Sequence, residues 1–278
     1  MMSGRTAELQ PDPEVLERLL KTEGKIMRIA PDLGTVTGTA AIHIASRGDK
    51  ATKSTVVKVL FPHSSSEFPM IAAYHGDELL WGWDLHDKLR SNQVPEEVVI
   101  HLPKLALYEC HQTCGVNKTI HTQLKEAKKS TTQFCADLLH AVDDYIMKYV
   151  KESMLGDIYD LANIEREYQI CVPVMWTPTS NKLLMDAVKV AGLPRTELVL
   201  EPEAAAALCI EDMKAVGEQS LARQLPCQIN VGDDMLVFDI GGGTGDIAVY
   251  KFVGDASEGA QVGLCSIGTP EGALVGSE

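Results

Sequence analysis

Two distant segments of the chain follow one short template that is rich in glycine. Residues 32–38 read Asp-Leu-Gly-Thr-Val-Thr-Gly, and residues 239–245 read Asp-Ile-Gly-Gly-Gly-Thr-Gly. Both fit the order aspartate, apolar residue, glycine, two further residues, threonine and glycine. A strand-like segment precedes and follows each copy, which predicts two equivalent β-hairpins and a duplicated fold.

The residue types in this template are suited to holding phosphate. Glycines allow a turn to adopt positive φ, and they let backbone N–H groups approach a ligand without an intervening Cβ. Successive N–H groups in such a turn form a concave anion site, to which threonine hydroxyls add donors. An aspartate at the strand end repels phosphate, so it indicates a cation such as Mg²⁺ between the two. The alternative interpretation is that both segments are only tight hairpins.

The remaining sequence alternates between strand-like and helical segments, which predicts an α/β architecture. The spacing predicts strands over 25–30, 39–45, 54–60, 70–74, 79–83, 168–174, 198–200, 235–239, 247–253 and 261–267. It predicts helices over 13–21, 117–154, 179–191 and 204–216. For the helix over 179–191 we expect Thr179 or Ser180 as N-cap and Gly192 at its end. Pro31 lacks an amide proton, so we expect a distorted first hairpin.

The composition is that of an acidic chain. The formal net charge is −14 over 278 residues and the pI is near 5.0, which opposes binding to nucleic acid. No apolar stretch reaches the roughly 18–20 residues that span a bilayer, so we expect neither a nucleic-acid nor a membrane partner. Seven cysteines without C-x-x-C spacing predict a reduced, cytoplasmic protein. Cys110, His111, Cys114 and His121 match no familiar zinc spacing, and we interpret their thiols as structural.

Four ordered motifs make the chain resemble the heat shock protein 70 family, and in particular its divergent branch. Residues 237–246 resemble the second phosphate motif of that family, and residues 32–35 resemble its first. Residues 201–207 resemble the segment that bears a catalytic glutamate. Val172 and Pro173, followed by residues 186–193, resemble a strand–helix unit that contains a proline switch. The resemblance covers nearly the whole chain.

The resemblance implies a fold and a division of the chain. The fold would be the α/β, actin-like ATPase fold, which is a duplicated ribonuclease H-like fold. Residues 1–22 would form a flexible leader and residues 23–230 a complete first lobe. Residues 231–278 would only begin the second lobe, so the resemblance also implies a truncated chain.

The resemblance further implies roles for individual residues around Mg-ATP. Asp32 and Asp239 would hold hydrated Mg²⁺. Lys104 would stabilise the γ-phosphate, while Glu201 and Asp246 would order the metal waters and the attacking water. The residues expected to contact the phosphates of ATP are Gly34, Thr35, Gly241, Gly242, Gly243 and Thr244.

Several of these assignments have simpler alternatives. Lys104 is alternatively a solvated surface lysine, and Glu201 is alternatively a carboxylate stabilised by a helix N-terminus. Pro173 and Lys182 fall where the family couples nucleotide state to a partner domain, but Pro173 also suits a strand terminator.

Three functions remain open from the sequence. The favoured one is a chaperone-like ATPase with co-chaperone or client proteins as partners. The second is a small-molecule kinase of the same superfold. The third is a non-catalytic interaction protein that keeps the fold without turnover.

Overall fold

The computed structural model describes residues 25–46, 56–108, 114–155, 164–219, 230–253 and 263–274. The strands are β1 (Lys25–Leu33), β2 (Thr37–Ser46), β3 (Val56–Lys58), β4 (Phe68–Pro69), β5 (Ile71–His75), β6 (Glu78–Trp81), β7 (Ile100–His101), β8 (Glu165–Val172), β9 (Thr196–Leu200), β10 (Asp234–Ile240), β11 (Thr244–Val253), β12 (Gly263–Ser266) and β13 (Glu271–Leu274). The α-helices are α1 (Gly82–Arg90), α2 (Cys114–Glu126), α3 (Thr131–Tyr149), α4 (Pro178–Val190) and α5 (Glu201–Gln219). Short 3₁₀ helices cover Pro62–Ser64, Glu96–Val98 and Pro103–Leu107, and a π-helical turn covers Val150–Leu155. The helix predicted over 13–21 lies outside the described residues, as do Cys110 and His111.

The larger sheet combines an antiparallel hairpin with parallel strands. Its order is β3-β2-β1-β8-β9, and β4 pairs with β2. β1 is antiparallel to β2 but parallel to β8, which in turn is parallel to β9. Tyr168, Ile170 and Val172 alternate as buried residues along β8, and the Tyr168 hydroxyl donates to Asp143 Oδ1 on α3 at 2.8 Å. This sheet and its helices therefore form a mixed α/β core.

A second sheet repeats the pairing pattern of the first hairpin. β10, β11 and β12 form an antiparallel meander, as β1, β2 and β3 do, and β13 pairs with the start of β11 as β4 pairs with the start of β2. The last paired residues are Leu33 with Gly38 and Ile240 with Gly245, so loops of equal length connect the two pairs of strands. The prediction of two equivalent hairpins is confirmed. A third sheet has the order β6-β5-β7.

The residues opposite the two template aspartates differ. Asp32 on β1 lies opposite Thr39 on β2, whereas Asp239 on β10 lies opposite Asp246 on β11. Equivalent positions of the repeat therefore carry a hydroxyl in one hairpin and a carboxyl in the other.

Pro31 does not distort the first hairpin, so that expectation is wrong. Pro31 pairs with Ala40 within an unbroken antiparallel register along β1 and β2. The Ala40 carbonyl accepts from the Val59 N–H at 2.9 Å, which means that Ala40 directs its polar groups away from β1. Because the Pro31–Ala40 pair is a non-hydrogen-bonded one, the missing amide of Pro31 removes no bond from the hairpin.

The helical region predicted over 117–154 is not one helix. α2 ends at Glu126, Lys128 adopts a φ of 55°, and the Ser130 side chain caps α3 by accepting from the Gln133 N–H. The region is helical as predicted, and a serine cap divides it into two helices.

The helix predicted over 179–191 begins at Pro178, and its N-cap lies before both of the expected cap residues. Pro178 occupies the first helical position, which proline favours. Thr177 is the N-cap and accepts from the Ser180 N–H at 3.2 Å, so the assignment to Thr179 or Ser180 is wrong. Gly192 follows the helix with a φ of 74°, as expected for a helix C-terminus.

The elements that were not predicted include α1 and β13, besides the short strands β4 and β7. The strand expected over 79–83 ends at Trp81, and α1 begins at Gly82, which has a φ of 57°. β13 was absent from the prediction because residues 271–274 have no alternating apolar pattern. Among the helices in the described ranges, none is long and apolar enough to cross a membrane.

Candidate functional site

The tips of the two hairpins touch each other. An ideal Cβ on Gly243 would lie 2.4 Å from Thr35 Cγ2, and one on Gly242 would lie 2.5 Å from Val36 Cγ2. Real Cβ atoms are not found at distances below 3.0 Å, so only glycine fits at either position. The structure thus brings the two predicted phosphate-binding segments together.

Close approach, rather than an unusual backbone, accounts for these glycines. None of the four glycines predicted to bind phosphate has a positive φ: Gly34, Gly241, Gly242 and Gly243. The prediction that they supply positive φ is wrong. An ideal Cβ on Gly34 would lie 2.3 Å from the Thr37 carbonyl oxygen, so the first turn also requires the absence of a side chain.

Both predicted threonines are buried, and Thr35 lies inside this contact. Thr35 is 6% exposed and Thr244 is 7% exposed. Thr35 precedes β2, and Thr244 is the first residue of β11. The template threonines are Thr37 and Thr244, so Thr35 lies two residues before the position that is equivalent to Thr244.

Lys104 and Glu201 form a buried ion pair. Lys104 Nζ lies 2.5 Å from Glu201 Oε1, and the side chains are 6% and 14% exposed. Lys104 belongs to the buried 3₁₀ segment Pro103–Leu107, and its ammonium also lies 5.8 Å from the centre of the Trp176 ring. The alternative that Lys104 is a solvated surface residue is wrong. Glu201 is the first residue of α5, so its position also fits the alternative of a carboxylate at a helix N-terminus.

Asp246 is a buried carboxyl with incomplete hydrogen bonding. It is 1% exposed, and its Oδ1 has no hydrogen-bond partner among the described residues. Burial raises its pKa to about 6, and the nearby Glu201 carboxyl, to which it is hydrogen-bonded, acts in the same direction. A backbone hydrogen bond from Val174 opposes the shift. Gly272 on β13 covers Oδ1, since an ideal Cβ there would lie 2.3 Å from it.

The two template aspartates also have raised pKa values. Burial raises the pKa of Asp32; Lys104 opposes this, and Glu201 and Asp239 reinforce it. Burial raises the pKa of Asp239 too, with Glu201 acting in the same direction and Lys104 against it. These mutual effects show that the charged groups predicted from separate motifs lie within electrostatic reach of one another.

The cluster has an excess of negative charge. Asp32, Glu201, Asp239 and Asp246 share one lysine, which gives a net charge of −3 when all four carboxyls are ionised. The unsatisfied Asp246 oxygen and the raised pKa values suit a site that is completed by a cation. Within the described ranges, no three His, Cys, Asp or Glu side chains are placed to hold a metal ion directly.

Cys171 belongs to the same cluster, although sequence reasoning missed it. Burial raises the pKa of the Cys171 thiol to about 12, and the Asp32 and Glu201 carboxylates reinforce the shift. A single cysteine in a strand has no spacing that marks it as a site residue. Only the pairing of β8 with β1 and β9 brings it into the cluster.

Two further predicted positions lie on and beside α4. Pro173 is buried directly after β8, and its carbonyl accepts from the Trp176 N–H at 3.2 Å. Lys182 lies on the exposed surface of α4, where its Nζ is 2.9 Å from Asp186 Oδ2. Lys182 therefore makes its ion pair outside the carboxylate cluster.

Comparison with known proteins identifies one family. A search of curated proteins finds no match to the chain. A family model described as Hsp70 protein matches residues 92–258, which is more than half of the chain and includes Lys104, Glu201 and the second hairpin. The chain therefore belongs to the Hsp70 family. Membership in this family implies an actin-like ATPase fold.

Proposed function

We propose that this chain binds ATP with Mg²⁺ between its two hairpins, as the nucleotide-binding part of a chaperone-like protein. Membership in the Hsp70 family supports a nucleotide-binding, chaperone-like function at the level of the family. The observation that carries the proposal for this chain is the meeting of the two hairpin tips next to a buried lysine and four carboxyls. In this assignment residues 23–230 form the first lobe and residues from 231 onward begin the second.

The hairpins would hold the phosphates through backbone and hydroxyl donors. Turn N–H groups at Gly34, Gly242 and Gly243 have no side chain to keep a phosphate away. The Gly241 N–H already donates to the Thr244 carbonyl oxygen at 2.8 Å. The Thr35 and Thr244 hydroxyls, one from each hairpin, would supply further donors. Two opposed sets of donors would fix a phosphate chain in position, which is the main requirement of phosphoryl transfer.

Lys104 would neutralise the terminal phosphate. Its ammonium is buried, and Glu201 holds it at a distance of 2.5 Å, so its position is fixed before any ligand arrives. A preorganised charge in a buried site stabilises developing negative charge more strongly than a mobile surface lysine does. Glu201 thereby acts on Lys104 as well as on the water around the metal.

Asp32 and Asp239 would hold hydrated Mg²⁺, which neutralises phosphate charge when bound. Asp246 would accept a hydrogen bond from the attacking water once Gly272 moves away from its Oδ1, which has no protein partner among the described residues. A pKa raised to about 6 makes this carboxyl a better proton acceptor near neutral pH than an ordinary aspartate.

The proposal is tested by thermal unfolding with and without Mg-ATP. A ligand at 100 times its dissociation constant that binds only the folded chain adds about 2.7 kcal/mol to the free energy of unfolding. We expect a Mg²⁺-dependent rise in Tm for the wild-type chain and none for Asp239→Asn. Asp234→Asn is the matched control, because Asp234 lies on the same strand but is exposed and pairs with Lys251.

Two results would contradict the proposal. An unchanged Tm at millimolar Mg-ATP would favour a non-catalytic interaction protein. Phosphate transfer from ATP to a panel of sugars or polyols would favour a small-molecule kinase. A Mg²⁺-dependent rise in Tm for Asp239→Asn as large as that of the wild-type chain would show that Asp239 does not hold the metal.

A further inference from the structure

We propose that Val36 and Gly242 form a steric gate that sets the separation of the two hairpins and thereby controls phosphate entry. This inference rests on the proposed function, because the gate acts on the gap in which phosphate would bind. It adds Val36, an apolar residue with no hydrogen-bonding side chain, to the residues that determine nucleotide affinity.

The contact between the hairpin tips is approximately two-fold symmetric. The equal loops and matching registers make Thr35 equivalent to Gly242, and Val36 equivalent to Gly243. The structure pairs Thr35 with Gly243 and Val36 with Gly242. Exchanging the two hairpins converts one of these contacts into the other, as in an isologous interface. The first hairpin contributes the side chains, and the second contributes glycines that make room for them.

This contact leaves no room for a phosphate at Thr35. The Thr35 Oγ1 lies 2.8 Å from the position of an ideal Cβ on Gly243, and Thr35 is almost completely buried. A phosphate oxygen hydrogen-bonded to this hydroxyl would need space that Gly243 occupies. The hairpins must therefore move apart for Thr35 to contact a phosphate.

Val36 is anchored so that its side chain packs on Gly242 and helps to hold the hairpin tips together. Its carbonyl accepts from the Met70 N–H at 2.9 Å, directly after β4, which pairs with the start of β2. Val36 is 44% exposed, so it lies at the surface and not in the hydrophobic core. Shortening the side chain would loosen the closed arrangement without opening the hydrophobic core.

Val36→Ala should increase affinity for Mg-ATP. When only a fraction of molecules has the hairpins apart, the apparent dissociation constant is the intrinsic one divided by that fraction. Removing the two Val36 methyl groups weakens the closed contact and raises that fraction. We expect the dissociation constant for Mg-ATP, measured by titration calorimetry, to fall by about threefold or more.

A double-mutant cycle tests the contact itself without nucleotide. Gly242→Ala places a Cβ against Val36 Cγ2 and should lower the Tm. Val36→Ala removes that Cγ2, so adding it to Gly242→Ala should restore most of the loss. Gly115→Ala is the control, because Gly115 has no neighbour within 4 Å of an added Cβ, and it should leave both affinity and coupling unchanged.

The results of these experiments distinguish a failure of the gate from a failure of the proposed function. If the wild-type chain binds Mg-ATP but Val36→Ala does not increase its affinity, the gate is overturned and the function stands. Additive effects of Gly242→Ala and Val36→Ala on the Tm would show that the two positions do not touch and would also overturn the gate. Failure of the wild-type chain to bind Mg-ATP would overturn the proposed function, and the gate with it.

Discussion

At the scale of single residues, we expect the free energy of unfolding to depend strongly on the buried ion pair between Lys104 and Glu201. Lys104→Met keeps most of the side-chain volume but leaves Glu201 buried among other carboxyls without its cation. Removal of one partner from a buried pair typically costs about 3–5 kcal/mol. We expect a loss of that order in the free energy of unfolding, measured by urea titration.

Lys182 provides the matched control for this substitution. Its pair with Asp186 is exposed, and exposed pairs contribute about 0–1 kcal/mol. Lys182→Met should therefore change stability by less than about 1 kcal/mol, while Glu201→Gln should recover much of the loss in Lys104→Met. Equal losses at Lys104 and Lys182 would contradict the description of a buried, functional lysine.

At the scale of elements, the start of α4 distinguishes the cap that the structure contains from the one expected from the sequence. Thr177 accepts from the Ser180 N–H, whereas Thr179 is exposed within the first turn. Thr177→Ala should lower the free energy of unfolding by about 1 kcal/mol, and Thr179→Ala should change it by less than half as much. The reverse order in chemical denaturation would move the cap to Thr179.

At the scale of the whole molecule, the carboxyl cluster makes stability depend on pH. The pKa of Asp246 is about 6 in the folded chain, above the ordinary value of 3.8, so the folded chain binds this proton more tightly than the unfolded chain does. The resulting contribution to stability is present below pH 3.8 and is lost as the pH rises through about 6. Asp246→Asn should therefore raise the Tm at pH 7 but not at pH 3.5, in chelator without nucleotide.

Asp234→Asn is the pH control, because its exposed carboxyl belongs to the same sheet. It should show no comparable difference between the two pH values. A Tm for Asp246→Asn that follows the wild-type value at both pH values would mean that Asp246 ionises in the folded chain without penalty.

The sequence predicted the parts of the fold and site that depend on local patterns. The two hairpins follow from glycine spacing and flanking apolar alternation, and α/β class follows from the succession of elements. The contact between Thr35 and Gly243 could not be predicted, because it depends on how two sheets that are distant in sequence meet. The same reason explains why Cys171 was missed and why the environment of Lys104 was left open.

The residues opposite the two template aspartates differ, so the two sides of the gap between the hairpins differ chemically. Because the two hairpins have matching registers, their backbones alone would present similar groups to a ligand on either side. Thr39 and Asp246 occupy corresponding places in the two hairpins, yet one is neutral and the other can carry charge. In the proposed function, an anion held between the hairpins would therefore have a carboxyl that can accept a proton on one side and a neutral hydroxyl on the other.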